Sequence, residues 1–464
     1  MRQHVRQNLW FFVCATLAAL ALRIFFLVKF PHVTSDSYFY GDIAKNWLLR
    51  GVYGLTSEGT RIAPTFARLP GYPAFLALIF AIAGIDHYGA VLIVQVLVDV
   101  GTCFVVADLA RRCVSERAAN AAYLLTALCP FLAQYSAAAL TETLEIFFTA
   151  LAMDYAVIGL EDLERAGIRP WLGCGGCVAA CILLRPDGGL LLAAIGLYLG
   201  IVLRRRWRSG KAAWPLVRAG IVVAACALSP LALWGLRNWR SLHRFELLAP
   251  RYANEVDEFV PFGFNRWTRT WIADYTSTEE IDWNVPGEAV DPNNLPARAF
   301  DTAEQRETTF ALFDQYNQVR RITPDLDAQF GLLAQERIHS HPFRYYIRLP
   351  LMRIADMWLR PRTELLPPDS RWYDFTDDTQ WVVLAVGLGV LNLLYVIAAI
   401  AGLVRGHSIA WVGLGISYIV LRSLFLGTME NPESRYTLEC FPAVIVMASG
   451  LIALLRRATD YQSY

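Results

Sequence analysis

Apolar residues along the chain are gathered into long blocks, and polar segments separate these blocks. Ten of the blocks approach the ~20 residues that a helix needs to cross a bilayer, whereas a water-soluble protein would distribute its apolar residues periodically. The predicted spans lie near residues 8–30, 88–110, 118–135, 142–160, 171–185, 188–203, 219–237, 381–404, 409–427 and 437–455. The pattern predicts an all-α polytopic membrane protein with about 10 or more spans.

Two apolar blocks need separate interpretation. The segment "GYPAFLALIFAIAG" (71–84) is too short to span comfortably, and counting it would reverse every later loop. We expect a re-entrant or interfacial helix on the outer face there. The first block contains Ala19-Leu20-Ala21, which resembles a signal-peptide processing site, but the apolar run continues to Val28. This continuation favours a retained anchor.

The basic residues of the short loops fall on one side of the membrane if the chain crosses it ten times. They are Arg2, Arg6, Arg111, Arg112, Arg117, Arg165, Arg169, Arg204, Arg205, Arg206, Arg208, Lys211, Arg405, Arg456 and Arg457. An excess of Lys and Arg marks the cytoplasmic side. The protein is therefore expected in the inner (plasma) membrane with both termini in the cytoplasm. Residues 31–87 and 238–380 are expected outside.

The same pattern predicts three parts of the chain. Residues 1–237 form an N-terminal transmembrane catalytic module with the outer loop 31–87, and residues 381–464 form C-terminal transmembrane helices. Between them, residues 238–380 form an extracytoplasmic, mostly helical segment. Thr323-Pro324 begins one of its helices, because Pro suits the first turn.

Composition adds few constraints. The chain has 464 residues, of which 55% are hydrophobic and 18% charged, and its net charge of +1 gives no indication of nucleic-acid binding. Cys174, Cys177 and Cys181 share a helical face, where they could bind metal or pack against a neighbouring helix. Packing is favoured, because no His completes a zinc set. His339 and His341 are only a weak metal signal, so no cofactor is certain and a divalent metal is left open.

The stretch "SDSYFYGDIAKNWLLRGVYG" (35–54) presents two carboxylates among aromatic residues directly after the first span. Asp36 is either catalytic or, like Ser35, a candidate N-cap of a helix that ends near Gly51. Asp42 is expected in the interior of that helix, exposed to solvent.

Other charged residues are predicted at the same membrane depth. Arg68 is either a phosphate ligand or an interfacial anchor. Glu142 lies at the outer mouth of a span and Glu145 one turn deeper, where ionisable residues indicate function, although Thr141-Glu142 could simply begin the helix. Further candidates at the outer face are Arg185, Asp187, Arg237, Glu430, Glu433, Arg435 and Tyr436. Acids and arginines at one depth indicate chemistry on a phosphorylated lipid.

Asp99 and Asp154 are different, because they are predicted in the middle of spans. They are interpreted as interhelical hydrogen-bond partners and not as site residues.

The order of several motifs resembles that of bacterial glycosyltransferases of the GT-C superfold, in the protein-mannosyltransferase and aminoarabinose-transferase-like group (glycosyltransferase family 39/83-like). The motifs are "DIAKN", "RGVYG", "RLPGYPAFLAL", "TETLEIFF", "LLRPDGGLLL", "WGLRNWR" and "ESRYTLECFPAVIVMASG". The resemblance covers residues 1–237 and about 342–455, and it implies a GT-C type transmembrane helical bundle with a mostly helical outer-face cap.

The resemblance also implies roles for individual residues. Asp36 and Glu142 correspond to catalytic carboxylates, with Asp36 near the acceptor. The implied donor phosphate ligands are Arg435, Arg68 and Arg185, and the implied substrate contacts are Tyr38, Tyr72 and Tyr436. The implied reaction transfers a monosaccharide from a polyprenyl-phosphate-linked donor to a hydroxyl of a glycan, lipid or protein acceptor, with inversion.

The rival hypothesis is a lipid-linked sugar flippase or transporter. Transport favours ionisable residues at mid-bilayer and repeat symmetry, whereas the charged residues here are predicted at the outer face. The expected partners are the lipid donor, the acceptor and membrane lipids, with no nucleic acid.

Overall fold

The computed structural model describes residues 1–57, 59, 61–165, 167–373, 378–405 and 409–462, with side chains as far as residue 452. The side chains of Arg456 and Arg457 therefore lie outside the described residues. The chain divides into two compact units. The first unit comprises Met1–Val256, Leu394–Leu421 and Leu438–Tyr464, and the second comprises Asp257–Leu393 and Arg422–Thr437.

The first unit is a helical bundle. Its helices are Arg2–Gln7, Leu9–Lys29, Ser35–Arg50, Gly71–Ala83, Tyr88–Cys113, Glu116–Ala127, Pro130–Ser136, Glu142–Glu161, Arg169–Leu184, Gly189–Arg208, Trp214–Leu242 and Phe441–Gln462, with a 3₁₀ turn at Pro186–Gly188. The helices Thr379–Arg405 and Val412–Gly427 contribute residues to both units.

The apolar helices confirm a multi-pass membrane protein. Among the described residues, seven helical segments are long and apolar enough to cross a bilayer: Leu9–Lys29, Tyr88–Cys113, Glu142–Glu161, Pro186–Arg208, Trp214–Leu242, Thr379–Arg405 and Ser434–Ile452. Three shorter apolar helices are Gly71–Ala83, Arg169–Leu184 and Val412–Gly427. The segment at 71–84 is therefore helical, as expected.

The predicted span at 118–135 is not one continuous helix. It is divided into Glu116–Ala127 and Pro130–Ser136. Pro130 begins the second piece, since Pro lacks the N–H that an uninterrupted helix would use. The carbonyl groups left at the end of the first piece need other donors.

Arg23 supplies those donors. Its guanidinium donates to the carbonyl oxygens of Ala127 (2.5 Å) and Thr126 (3.2 Å), and it pairs with Asp99 at 2.7 Å. Arg23 and Asp99 are both buried. Asp99 is thus an interhelical partner, as interpreted from the sequence. Arg23 satisfies the free carbonyl groups, which explains how an interrupted helix is tolerated inside the bundle.

The second unit is mostly helical. Its helices are Phe262–Arg269, Tyr275–Ser277, Ala303–Val319, Pro324–Ser340 and Leu349–Leu359, with π-helical turns at Thr278–Asp282 and Arg344–Arg348 and 3₁₀ turns at Pro292–Asn294 and Ala297–Ala299. Trp267, Trp271, Phe313 and Phe330 lie in its apolar core. Thr323 caps the helix that begins at Pro324, which confirms the start predicted from sequence.

A small antiparallel hairpin follows the first outer helix. The strands Gly54–Ser57 and Arg61–Pro64 pair from Gly54 with Pro64 to Ser57 with Arg61, a feature that the sequence did not predict. Asp42 fixes this hairpin by accepting hydrogen bonds from the N–H (2.6 Å) and hydroxyl (2.9 Å) of Thr56. Asp42 is 24% exposed and thus partly solvated, but it also has a structural role that the sequence did not predict.

Candidate active site

The first outer helix, Ser35–Arg50, begins with a capping box. The Thr34 hydroxyl accepts from the N–H of Ser37, whose own hydroxyl accepts from the N–H of Thr34 at 2.9 Å. The expectation that Ser35 or Asp36 is the N-cap is wrong by one or two positions. Gly51 ends the helix in the left-handed conformation, as expected. Because Thr34 is the cap, the Asp36 side chain is not needed for that role.

Backbone contacts hold the beginning of this helix against the segment that leads into Glu142. His32 forms a parallel bridge with Ala138, and the Ser37 hydroxyl donates to the carbonyl oxygen of Ala139 at 2.8 Å. Three residues after Ala139, Glu142 begins the helix Glu142–Glu161. The two candidate catalytic carboxylates are therefore supported by one connected piece of backbone.

Asp36 forms an ion pair with Arg68. The Arg68 Nη2 lies 2.9 Å from Asp36 Oδ1, and the exposed fractions of the two side chains are 21% and 39%. The Arg68 guanidinium also lies over the rings of Phe39 (4.8 Å) and Tyr40 (5.6 Å), which hold it in place by cation–π attraction. This pair leaves Asp36 accessible to an acceptor hydroxyl.

Arg185 is surrounded by three carboxylates. Its Nη1 lies 3.4 Å from Glu142 Oε1, and its Nε lies 3.1 Å from Asp187 Oδ1 and 3.7 Å from Glu145 Oε2. Glu142 and Glu145 are buried, whereas 19% of the Arg185 side chain is exposed. The two buried glutamates therefore hold the partly exposed guanidinium in place.

Tyr40 is close enough to both ion-paired groups to be affected by their charges. Burial raises the pKa of the Tyr40 hydroxyl to about 12, and the charges of Arg68, Asp36, Arg185 and Glu142 all act on it. Four carboxylates and two guanidinium groups thus share this region. Their charges are balanced only in part, so any anion that binds there needs the arginines to be correctly oriented.

The predicted substrate tyrosines of the first unit differ in exposure. Tyr38 is 61% exposed and its ring packs edge-on against Tyr88 at 5.6 Å. Tyr72 is fully buried, and its hydroxyl donates to Gln95 at 2.8 Å. The structure thus places Tyr72 in the core and Tyr38 at the surface.

The remaining predicted site residues, Arg435 and Tyr436, belong to the second unit. Both are held by Glu433, which pairs with Arg435 Nε at 2.6 Å and accepts from the Tyr436 hydroxyl. Glu433 is buried, and 18% of the Arg435 side chain is exposed. Arg435 is thus a fixed guanidinium with its own supporting carboxylate.

Arg237, another candidate from the sequence, forms hydrogen bonds with backbone carbonyl groups. It donates to the carbonyl oxygen of Thr65 at 2.6 Å and to that of Tyr53, beside the hairpin. Sequence reasoning missed one supporting residue. Gln95, which bridges Tyr72 to the carbonyl oxygen of Ala138 at 2.6 Å, gave no signal beyond being a polar residue in an apolar span.

Comparison with known proteins agrees with the predicted family resemblance. Residues 67–234 match the family described as dolichyl-phosphate-mannose-protein mannosyltransferase. No curated protein sequence matches the chain.

Solved structures show the same fold. The oligosaccharyltransferase of Archaeoglobus fulgidus, tethered to an acceptor peptide, matches with a TM-score of 0.52 and 12% identity over 98% of this chain and 50% of its own. The oligosaccharyltransferase AglB from the same archaeon, in complex with an inhibitory peptide and a dolichol-phosphate, matches with a TM-score of 0.50 and 12% identity over 98% of this chain and 52% of its own. ArnT from Cupriavidus metallidurans, bound to undecaprenyl phosphate, has a TM-score of 0.41 and 14% identity over 97% and 79%. The two oligosaccharyltransferase matches confirm the GT-C fold, and this chain spans about half the length of those proteins.

Proposed function

Because residues 67–234 match the mannosyltransferase family and the chain has the GT-C fold, we propose that the protein is an integral-membrane glycosyltransferase. It transfers a monosaccharide from a polyprenyl-phosphate-linked donor to an acceptor hydroxyl of a glycan, lipid or protein. The observation that carries the proposal is the pair of arginine–carboxylate groups around Tyr40, one of them accessible and one supported by buried glutamates.

In the proposed reaction, Asp36 is the general base. Its carboxylate takes the proton of the acceptor hydroxyl, whose oxygen forms a bond to the anomeric carbon of the sugar. The bond from that carbon to the phosphate oxygen breaks, and the electron pair leaves with the polyprenyl phosphate. A direct displacement of this kind inverts the anomeric centre. Base catalysis of this kind contributes ~10²–10⁴-fold to a rate.

Arginine side chains stabilise the phosphate as it leaves. A guanidinium presents paired N–H donors that match phosphate oxygens, and donors already in position need no reorganisation during the reaction. In the first unit, Arg185 and Arg68 are guanidinium groups held in position by carboxylates. In the second unit, Arg435 is held in position by Glu433. Among the described residues, no three His, Cys, Asp or Glu side chains converge closely enough to hold a metal ion. No step is therefore assigned to a metal.

The proposed location is the inner (plasma) membrane, with both termini in the cytoplasm and the site on the extracytoplasmic face. The distribution of Lys and Arg among the short loops supports this orientation. The dolichol-phosphate bound to the similar archaeal oligosaccharyltransferase supports a lipid donor.

A flippase for the same lipid is the second candidate. Its mechanism favours ionisable groups that move at mid-bilayer, but Arg23 and Asp99 are locked in a buried ion pair with backbone carbonyls. A transferase assay in detergent separates the two, because micelles have no opposite leaflets between which a lipid could move. Purified protein should release polyprenyl phosphate from one member of a panel of radiolabelled polyprenyl-phosphate monosaccharides when a membrane extract supplies the acceptor. Failure with every sugar, alongside lipid movement in vesicles, would favour the flippase.

A further inference from the structure

A pocket lies at the end of the first unit that is opposite to the candidate active site. The helices Glu142–Glu161 and Gly189–Arg208 both begin near Arg185 and both end at this pocket. Each has 20 residues, which corresponds to about 30 Å of helix. The pocket is therefore separated from Asp36 by about the thickness of a hydrocarbon core.

The pocket combines basic and apolar walls. Its volume is about 230 Å³, which is many times the ~15 Å³ that one water needs. The residues that line it are Leu160, Leu163, Val202, Arg205, Arg206, Ser209, Lys211 and Trp411. The basic side suits a phosphate group, and the apolar side suits the first carbons of an acyl chain.

The basic residues differ in how they are used. Arg206 donates to the carboxylate of Glu164 and to the carbonyl oxygen of Ala212 (3.1 Å). Arg205 and Lys211 are exposed, and neither forms an ion pair with a described residue. These two cations therefore remain available for an anion.

Trp411 lines the pocket in a strained backbone conformation. Its φ of 57° lies in the left-handed region, which a bulky side chain rarely adopts. The preceding residue, Ala410, donates to the carbonyl oxygen of Cys113 at 2.7 Å and so holds the segment in place. Strain of this kind concentrates at ligand-binding positions.

Two tryptophans place the pocket at the membrane surface. Trp207 is 79% exposed and Trp214 is 65% exposed, and they flank the loop that carries Ser209 and Lys211. Exposed tryptophans of membrane proteins gather at the level of the lipid headgroups. Basic pockets between membrane helices at that level recognise anionic headgroups.

We propose that this pocket binds the phosphate group of an anionic phospholipid, held by Arg205 and Lys211, with its glycerol and first acyl carbons against Leu163, Val202 and Trp411. The site is independent of the proposed transferase reaction, because it shares no residue with the Asp36 and Arg185 groups.

Thermal unfolding of the purified full chain in neutral detergent tests the proposal. Phosphatidylglycerol at saturating concentration should raise the unfolding temperature by roughly 2–5 °C, whereas phosphatidylcholine and inorganic phosphate at the same concentration should not. An equal rise with inorganic phosphate would show that the ligand is a free phosphate and would overturn the lipid assignment. Absence of any rise with phosphatidylglycerol would overturn the site.

Paired variants separate the pocket from the general charge of the loop. Arg205→Gln with Lys211→Gln should abolish the lipid-dependent rise. Arg204→Gln with Arg208→Gln removes the same charge from residues outside the pocket lining and should keep the rise. An equal loss of the rise in both pairs would mean that the lipid binds only through general surface charge, and would overturn the pocket. Native mass spectrometry of the wild-type protein should retain phosphatidylglycerol in preference to phosphatidylcholine, which gives a result even if a variant fails to fold.

Discussion

Asp36 and Arg68 form an ion pair of 2.9 Å that joins the first outer helix to the turn before the helix Gly71–Ala83. Because Thr34 supplies the helix cap, the Asp36 carboxylate is held for a reason other than helix initiation. Its exposure lets an acceptor hydroxyl reach it, as the proposed role of a general base requires, and Arg68 places a cation beside it for the leaving phosphate.

The orientation predicts which introduced cysteines react from outside the cell. Ser57, Ser340 and Ser209 are all exposed. Cysteines at Ser57 and Ser340 should be labelled by a membrane-impermeant thiol reagent on intact cells, and one at Ser209 should be labelled only after permeabilisation. The unsubstituted protein, with its nine cysteines, gives the background. Labelling of Ser209 without labelling of Ser57 would reverse the orientation.

Glu145 should act through Arg185. Glu145→Gln removes a buried charge 3.7 Å from the Arg185 Nε, so the guanidinium loses part of its support without any change on the exposed side. We expect the KM for the lipid donor to rise ~10-fold or more, the equivalent of one weakened charge-assisted hydrogen bond.

Asp154→Asn is the matched control for Glu145→Gln. Asp154 is a buried acid on the same helix, and it pairs with Arg112 at 3.3 Å near the other end. This variant should leave the donor KM unchanged whatever it does to stability. An unchanged KM in Glu145→Gln would remove the positioning role.

Asp42 should be structural. Asp42→Ala removes the acceptor of two hydrogen bonds from Thr56, and hydrogen bonds to charged groups contribute about 1.5–3 kcal/mol each. The unfolding temperature in detergent should fall, whereas the donor KM of the protein that remains folded should not change. A variant with the unfolding temperature of the wild type would mean that the hairpin does not depend on this carboxylate.

Asp356 should make the second unit less stable as pH rises. Burial raises the pKa of its carboxyl to about 6 from an ordinary value of 3.8, although Arg360 acts in the opposite direction. The folded protein therefore binds the proton more tightly than the unfolded chain does. The resulting stabilisation is complete below about pH 4 and is lost as pH rises through 6.

Asp356→Asn keeps an oxygen for the N–H of Tyr275, which donates to Asp356 at 2.9 Å. It should flatten the change in unfolding temperature between pH 4 and pH 7 and raise stability at pH 7 by up to about 3 kcal/mol. A pH dependence equal to that of the wild type would contradict the assignment of this titration to Asp356.

Local patterns predicted much of the fold. Long apolar blocks predicted a polytopic helical protein, and Gly51 and Thr323-Pro324 predicted helix ends that the structure confirms. The N-cap at Thr34 was missed because Ser, Thr and Asp have nearly equal cap preferences, so sequence alone cannot separate neighbouring candidates.

Contacts between distant residues could not be predicted in this way. The hydrogen bonds of Asp42 with Thr56 and of Arg23 with the carbonyl oxygen of Ala127 depend on how elements pack, which periodicity does not encode. The candidate site shows both sides of this limit. Its arginines and acids were identified by type and depth, but the pairing of Arg185 with Glu145 emerged only from the fold.

The most direct measurement is the turnover of purified Asp36→Asn with its true donor and acceptor. Asn keeps an oxygen for Arg68 but cannot take a proton, so sugar transfer should fall ~10²–10⁴-fold while the unfolding temperature stays near that of the wild type. Thr34→Ala provides the control, since loss of the real helix cap should lower stability by about 1 kcal/mol and leave turnover of the folded protein intact. Wild-type turnover in Asp36→Asn would contradict the role of Asp36 as the general base.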